Sequence, residues 1–325
     1  MSNGVITKKH LVDIANAIRV KTGSVTTYTP SQMAAAIEAI DGSLSGTITS
    51  STDMSEGVID GDIMTAIADA IRTKLDVDTL YTPAQMAAAI LSIEPSVVSW
   101  SSGTDAQLAA MIAAAHDGEI DLQQDAGWAI GDTRTIAVSA FTAAGVTQPA
   151  QNIQIVISSF SEYMSCGNVM QFDFKGEFSQ GFKMNSTNTN VGGYGSSLMK
   201  TEILPALVLA LPEWLKNNLI EFSVLASAGN RSSTIDTVTE NKLALRSQIE
   251  ITNSTSYSFS GEGALIPYYA TSANRKKQGA SGTDVWWTRS PYKSSNYRFV
   301  GISPTGVGDW YDANQGYGLS PFGCL

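Results

Sequence analysis

WWTRSPYKSSNYRFVGISPTGVGDWYDANQGYGLSPFGCL, residues Trp286 to Leu325, is the stretch on which the rest of the chain is organised. Two stiff ends, Trp286-Trp287-Thr288-Arg289-Ser290-Pro291 and Gly318-Leu319-Ser320-Pro321-Phe322, enclose a middle of Tyr, Trp, Asn, Ser, Asp, Gly and Arg. That middle has the composition of a binding loop. Tyr and Trp offer large amphipathic area with only two side-chain torsions to freeze, and Ser, Asn and Gly add adaptable hydrogen bonding. Trp286, Trp287, Phe299 and Phe322 are expected in the core of a small β-rich domain. Tyr292, Tyr297, Trp310 and Tyr311, set among polar and turn residues, are candidates for exposure.

The WWxRSP opening, the GxxP-F close and the short strands between them resemble the C-terminal domain, of C-type-lectin-like fold, found in phage tail-fibre and virion-surface proteins. The resemblance reaches upstream through Ile203-Leu204-Pro205, Met184-Asn185-Ser186-Thr187-Asn188-Thr189-Asn190 and Trp128-Ala129-Ile130-Gly131-Asp132-Thr133-Arg134, to Asp121. Genes of this kind often accompany diversity-generating retroelements, which mutate a set of codons near the 3′ end. The resemblance implies an α+β chain whose ligand-binding face is built from Tyr292, Lys293, Ser294, Asn296, Tyr297, Arg298, Asp309, Trp310, Tyr311 and Asp312. Trp286, Trp287, Gly318, Pro321 and Phe322 would be scaffold. It implies the fold and not sugar binding, because many such domains bind protein. The partners it implies are a bacterial cell-surface receptor, protein or glycan, and other virion proteins. A purely structural decoration or baseplate protein is the alternative.

Of the 325 residues, 43% are apolar and 15% charged, the balance of a globular chain with room for two or three domains. A formal charge of −10 argues against a nucleic-acid partner, since phosphate binding needs clustered Lys and Arg, and the one short basic run is Arg275-Lys276-Lys277. The longest apolar stretch, Ile203 to Leu215, is interrupted by Pro205 and Pro212 and is far short of the roughly 20 residues of a membrane span. Met1 to Lys9 lacks a secretory apolar stretch, which fits a virion protein made in the host cytoplasm. Cys166 and Cys324, the two cysteines, are expected as buried thiols.

The N-terminal third is duplicated. Val5-Ile6 through Ile40 aligns with Val58-Ile59 through Ile93 without a gap, at an offset of 58 − 5 = 53 positions. Leu11, Ile14, Ala15 and Ile18 fall at i, i+3, i+4 and i+7, as do Met64, Ile67, Ala68 and Ile71, so each copy begins with an amphipathic helix. A second helix follows Thr29-Pro30-Ser31-Gln32 and Thr82-Pro83-Ala84-Gln85, where Thr caps, Pro takes the first helical position and Gln reaches back. One hairpin buries about ten side chains at roughly 1.5–3 kcal/mol each, against about 1.5 kcal/mol of ordering entropy for each residue. It is therefore expected to pack on copies of itself, as in a trimer or at an attachment point on a larger particle. The divisions are 1–45 and 58–94 for the repeats, a Gly/Ser-rich linker at 46–57, a neck at 95–120 and the lectin-like domain at 121–325. In the neck Thr104-Asp105-Ala106-Gln107 caps a helix carrying Leu108, Met111, Ile112 and Ala115 on one face.

Beyond Asp121 strands are expected at Ile136-Ala137-Val138, Ile153 to Ile157, Met170 to Phe174 and Lys242 to Arg246, with a loop over Asn185 to Ser197. Met199 to Asn218 reads as helical pieces, broken at Pro205 and reopened at Pro212. The only histidines, His10 and His116, lie outside the lectin-like domain, so that domain holds no histidine triad or zinc site. Asp309 and Asp312 alone make a poor calcium set. Formylglycine-generating enzymes share the broad fold but use a reactive cysteine pair, and neither cysteine here has a neighbour of its kind. The expectation is a binding protein, not an enzyme, with no cofactor and no metal.

Overall fold

The computed structural model describes residues 8–22, 27–38, 61–75, 77–78, 80–91, 98–161, 163–164, 170–279 and 282–325. The 46–57 linker and Cys166 lie outside these. The chain is α+β and divides into two units, Met1–Val98 with Ala114–Asp121, and Ser99–Ala113 with Leu122–Leu325.

The first unit holds helices α1 (Lys8–Thr22), α2 (Pro30–Glu38), α3 (Gly61–Leu75) and α4 (Pro83–Leu91). Helix α3 begins and ends the repeat distance after α1, and α4 does so after α2. The Gln32 side chain accepts from the Thr29 backbone N–H at 2.9 Å, and Gln85 accepts from Thr82 at 2.9 Å, so both second helices start on the expected device. Leu11, Ile14, Ala15, Ile18, Met33 and Ile37 join Ile67, Ala68, Ile71, Met86 and Ile90 in one apolar core. Helix α1 packs chiefly on α4, and α2 on α3. Each hairpin is thus covered by the other. The second copy that the size of a hairpin calls for is supplied within the chain.

The second unit opens with most of α5 (Asp105–His116), which starts from the Thr104/Gln107 box, with both halves present at 2.9 and 3.3 Å. Leu108, Met111 and Ile112 are buried and Ala115 is half-buried on the same face. The segment before it is pinned by Arg134, which donates to the carbonyls of Trp100 (3.3 Å) and Gly103 (2.7 Å) and to Asp105 (2.6 Å). Then come β1 (Thr133–Val138), β2 (Phe141–Ala143), β3 (Val146–Gln148), β4 (Gln151–Ser159) and β5 (Gln171–Phe174). After these stand α6 (Leu204–Ala210), α7 (Glu213–Asn218), β6 (Phe222–Ser227), β7 (Ile235–Asn241), α8 (Gln248–Thr252), β8 (Gln278–Gly279) and β9 (Gly282–Thr283). The last strands are β10 (Trp286–Pro291), β11 (Arg298–Ile302), β12 (Gly308–Asp312) and β13 (Phe322–Cys324).

One antiparallel sheet has the order β1-β4-β5-β13, so the C-terminal strand pairs with a strand about 150 positions earlier, Phe322 opposite Asp173. A second has the order β10-β11-β12. Two expectations about elements are corrected. Lys242 to Arg246 makes only an isolated bridge, Ala244 to Phe322, because Arg246 turns inward to a buried partner. Pro205 does not break its helix: a π-helical turn at Met199–Ile203 precedes it, with the Leu204 N–H on the Met199 carbonyl, and the proline falls in the first turn of α6, where no N–H is needed. Cys324 is also corrected, being buried and disulfide-bonded and not a thiol.

Candidate functional site

The candidate face stands on a sheet whose buried layer is held by ions. Every residue of β10 is buried. Arg289 has five N–H donors, and the structure supplies five acceptors for them. Nη1 and Nη2 take the two Glu250 carboxylate oxygens at 2.6 and 2.9 Å. The carbonyls of Leu225, Leu245 and Glu262 take the rest at 2.7–2.8 Å. Glu250 also closes the capping box of α8 with Ser247 and accepts from the Tyr163 hydroxyl at 2.6 Å. Burial pushes the Tyr163 hydroxyl far above its ordinary value, and Glu250 adds to this, so it stays a donor. A second pair, Arg246 with Asp173 at 2.7 Å, is equally sealed, and its guanidinium lies 3.5 Å from the centre of the Phe322 ring. Burial opposes the charge on Asp173, but the adjacent Arg246 outweighs it and holds the carboxyl below its ordinary value.

Trp286 and Trp287 are the aromatic part of this layer. The Trp286 indole donates to the Arg275 carbonyl at 3.0 Å and stacks on Tyr269, and Trp287 donates to the Phe182 carbonyl at 2.7 Å. The Gly318 to Phe322 segment runs alongside, with the Trp287 N–H on the Gly318 carbonyl at 3.0 Å. These residues and Phe299, Pro321 and Phe322 are buried.

On this support β11 and β12 place Arg298 opposite Asp312, Phe299 opposite Tyr311, Val300 opposite Trp310 and Gly301 opposite Asp309. Their connecting turn needs a positive φ at Gly306 (84°), where glycine has no steric cost. Strand alternation then separates the ten candidate residues. On one side Trp310, 38% exposed, stacks on Tyr292 with centres 6.0 Å apart and planes 15° apart. The Arg298 guanidinium lies 3.7 Å from the Trp310 ring centre and 4.8 Å from that of Tyr297, and its Nε donates to Asp312 at 2.8 Å. Lys293 is tied to the Thr255 carbonyl at 2.7 Å, and Ser294 and Asn296 are exposed. On the other side Tyr311 meets Trp287 and Tyr317, and Asp309 turns one carboxylate oxygen to the Trp310 N–H at 2.8 Å.

Tyr292, Tyr297, Arg298, Trp310 and Asp312 therefore share the Trp310 region, while Asp309 and Tyr311 belong elsewhere. Strand period across Gly308 to Asp312 carries the signal for that separation. The structure adds Tyr257, whose ring meets Tyr292 edge-on at 5.9 Å, and Asn190, which donates to the Ser295 and Arg298 carbonyls at 2.9 and 2.7 Å. Asn188 accepts from the Ala313 N–H at 3.0 Å. The Asn185 to Asn190 loop is thus a clamp under the face. No local motif marks it as one.

Residues 182–325 match the model of a family described as Domain of unknown function (DUF6273). The match spans less than half the chain and includes α8, β10 to β13 and the whole candidate face. No curated protein and no solved structure matches the chain. The matched segment is structurally continuous with residues before it, since β13 pairs with β5 and Arg246 reaches Asp173, Gln171 and Ser158. Among the described residues no cluster of three or more His, Cys, Asp or Glu is placed to hold a metal, and no helix is long and apolar enough to cross a membrane.

Proposed function

We propose that this is a phage virion-surface protein, of the tail-fibre or receptor-binding kind, that attaches to a bacterial cell-surface receptor through the Trp310 face of a C-type-lectin-like domain. The observation that carries this is the aromatic ladder Tyr257, Tyr292, Trp310, with Arg298 and Tyr297 beside it, held half-exposed on a sheet with a fully bonded buried layer. Rigid aromatic anchors bordered by adaptable polar groups lose little entropy on binding. Such anchors carry most of the energy of an interface.

The reading is one of binding and not of catalysis. The buried charges of the domain are spent on one another in the core, and on the candidate face Arg298 is spent on Asp312 and Lys293 on the Thr255 carbonyl. The lectin-like fold, the virion location and attachment to other virion proteins through the helical unit rest on the resemblance of the sequence motifs. Where a retroelement accompanies the gene, the ten candidate positions are those proposed to vary. Several copies on one particle would raise overall avidity by about 10²–10⁴ when the geometry allows.

The test is binding of labelled full-length protein to intact host cells, wild type against a Tyr297→Ala/Trp310→Ala variant of unchanged circular dichroism and oligomeric state. Loss of binding in the variant supports the adhesin. Equal binding by both, or binding by neither, removes it in favour of a structural role in the virion.

A further inference from the structure

We infer that the side of β12 opposite Trp310 binds a cationic group, an ammonium or guanidinium, over the Tyr311 and Tyr317 rings beside the Asp309 carboxylate. This names a ligand class at the proposed receptor-binding region and rests on that reading for its biological use, but its measurement stands apart.

The geometry begins with strand alternation. Asp309 and Tyr311 project to the same side, and Tyr311 lies over Gly301, where an added Cβ would come within 2.9 Å of its ring. Tyr311 and Tyr317 have ring centres 4.8 Å apart, and both meet the buried Trp287 ring, edge-on, at 6.3 and 5.1 Å. Trp287 thus fixes the two half-buried phenols from beneath. One oxygen of Asp309 is fixed by the Trp310 N–H, which orients the carboxylate without neutralising it. Burial raises the Tyr311 hydroxyl to about 12, with Asp309 the next cause, so the ring stays neutral and keeps its electron-rich face.

The two sides of β12 explain one another. On the Trp310 side, two rings and a carboxylate are arranged around a cation that the chain itself provides: Arg298 over Trp310 and Tyr297, paired with Asp312. On the Tyr311 side two rings recur with Asp309 beside Tyr311, while the carboxylate nearest in effect to Tyr317 is Asp312, already paired with Arg298. Among the described residues no Lys or Arg lies over either ring, and none pairs with Asp309. Ring quadrupole and carboxylate both favour positive charge, as does the chain's net charge of −10. A neutral ligand gains none of this charge attraction, and an anion is opposed by it.

The test follows 1H–15N spectra of the full chain during titration with choline, with its neutral isostere 3,3-dimethyl-1-butanol, and with blocked Gly-Lys-Gly and Gly-Arg-Gly peptides. One cation on two half-exposed rings gives a dissociation constant of about a millimolar. The expected result is saturable shifts with choline or the peptides and none with the isostere. Asp309→Asn, which keeps the oxygen facing Trp310, should weaken binding about fivefold to tenfold; Tyr317→Phe should retain it and Tyr317→Leu lose it. Choline alone points to a quaternary ammonium on a small molecule or surface polymer, and peptide binding to a basic protein segment; each upholds the inference. It is overturned if the isostere binds as well as choline, if Asp309→Asn leaves affinity unchanged, or if no cation saturates. Cell binding without cation binding would leave the adhesin reading standing and sink this one, and the reverse result would do the opposite.

Discussion

The helical unit and the β-rich unit solve the problem of a core in opposite ways. In the first, Leu, Ile, Met and Ala from two copies of one hairpin interlock in an apolar cluster, and Arg19 is the charged residue buried with them in that unit. In the second, two arginines with no exposure are built into the centre, each against its own carboxylate. An apolar core tolerates variation wherever volume is conserved. An ion in a core is intolerant, because a missing partner leaves an uncompensated buried charge. The difference teaches where rigidity is concentrated: the Arg289 pair is anchored in β10, a strand of the same sheet that carries the candidate face.

The comparison breaks most visibly at Arg289. Replacing it with Ala strands Glu250 and three carbonyls, and should cost the β-rich unit about 3–5 kcal/mol in chemical denaturation. The transition of the helical unit should be unmoved. A Glu250→Gln/Arg289→Met double variant should lose less than the sum of its single changes, which would sharpen the point that the pair, and not its volume, is at stake. Next comes Ile71→Ala in the apolar core, expected to cost about 2–4 kcal/mol by loss of contact and a residual cavity, read in the helical unit's transition alone. Equal effects of either change on both transitions would contradict the division.

A smaller effect comes from Glu177, buried beneath Gly318, where an added Cβ would run into its carboxylate. Burial, then Asp284, raises its pKa from 4.5 to about 8, with Lys277 opposing. A raised carboxyl favours the fold while protonated, so its contribution is full below pH 4.5 and is lost as pH rises to about 8. Glu177→Gln should therefore remove that decline: melting temperatures of variant and wild type should diverge in the variant's favour through this window. Parallel curves would contradict the assignment. Least of all should be the stability effect of Trp310→Ala, within about 0.5 kcal/mol for a surface change.

What was legible in the sequence follows the same divide. A 3.6-residue period, a gapless duplication and Thr-Pro-x-Gln starts define the helical unit almost completely, because an apolar core is written locally. That the two hairpins cover each other was not legible, since period says which face is buried and not against what. The ionic core was less visible still. Arg289 and Glu250 lie 39 positions apart, and Arg246 and Asp173 lie 73 apart, so each reads alone as a surface charge. Trp286, Trp287 and Phe322 were legible as scaffold. The candidate face is legible as a composition but not as a surface: composition groups Tyr311 and Asp309 with Trp310, although strand alternation turns them to the other side.

The central claim is that Trp310 is an anchor for a host receptor. The measurement that meets it most directly is competition on intact host cells, with labelled wild-type protein displaced by unlabelled wild type or by unlabelled Trp310→Ala at equal folded concentration. Loss of one aromatic anchor costs about 2 kcal/mol or more, so the variant should need roughly thirtyfold more protein for half displacement. Displacement by the variant at the same concentration as wild type would contradict the account.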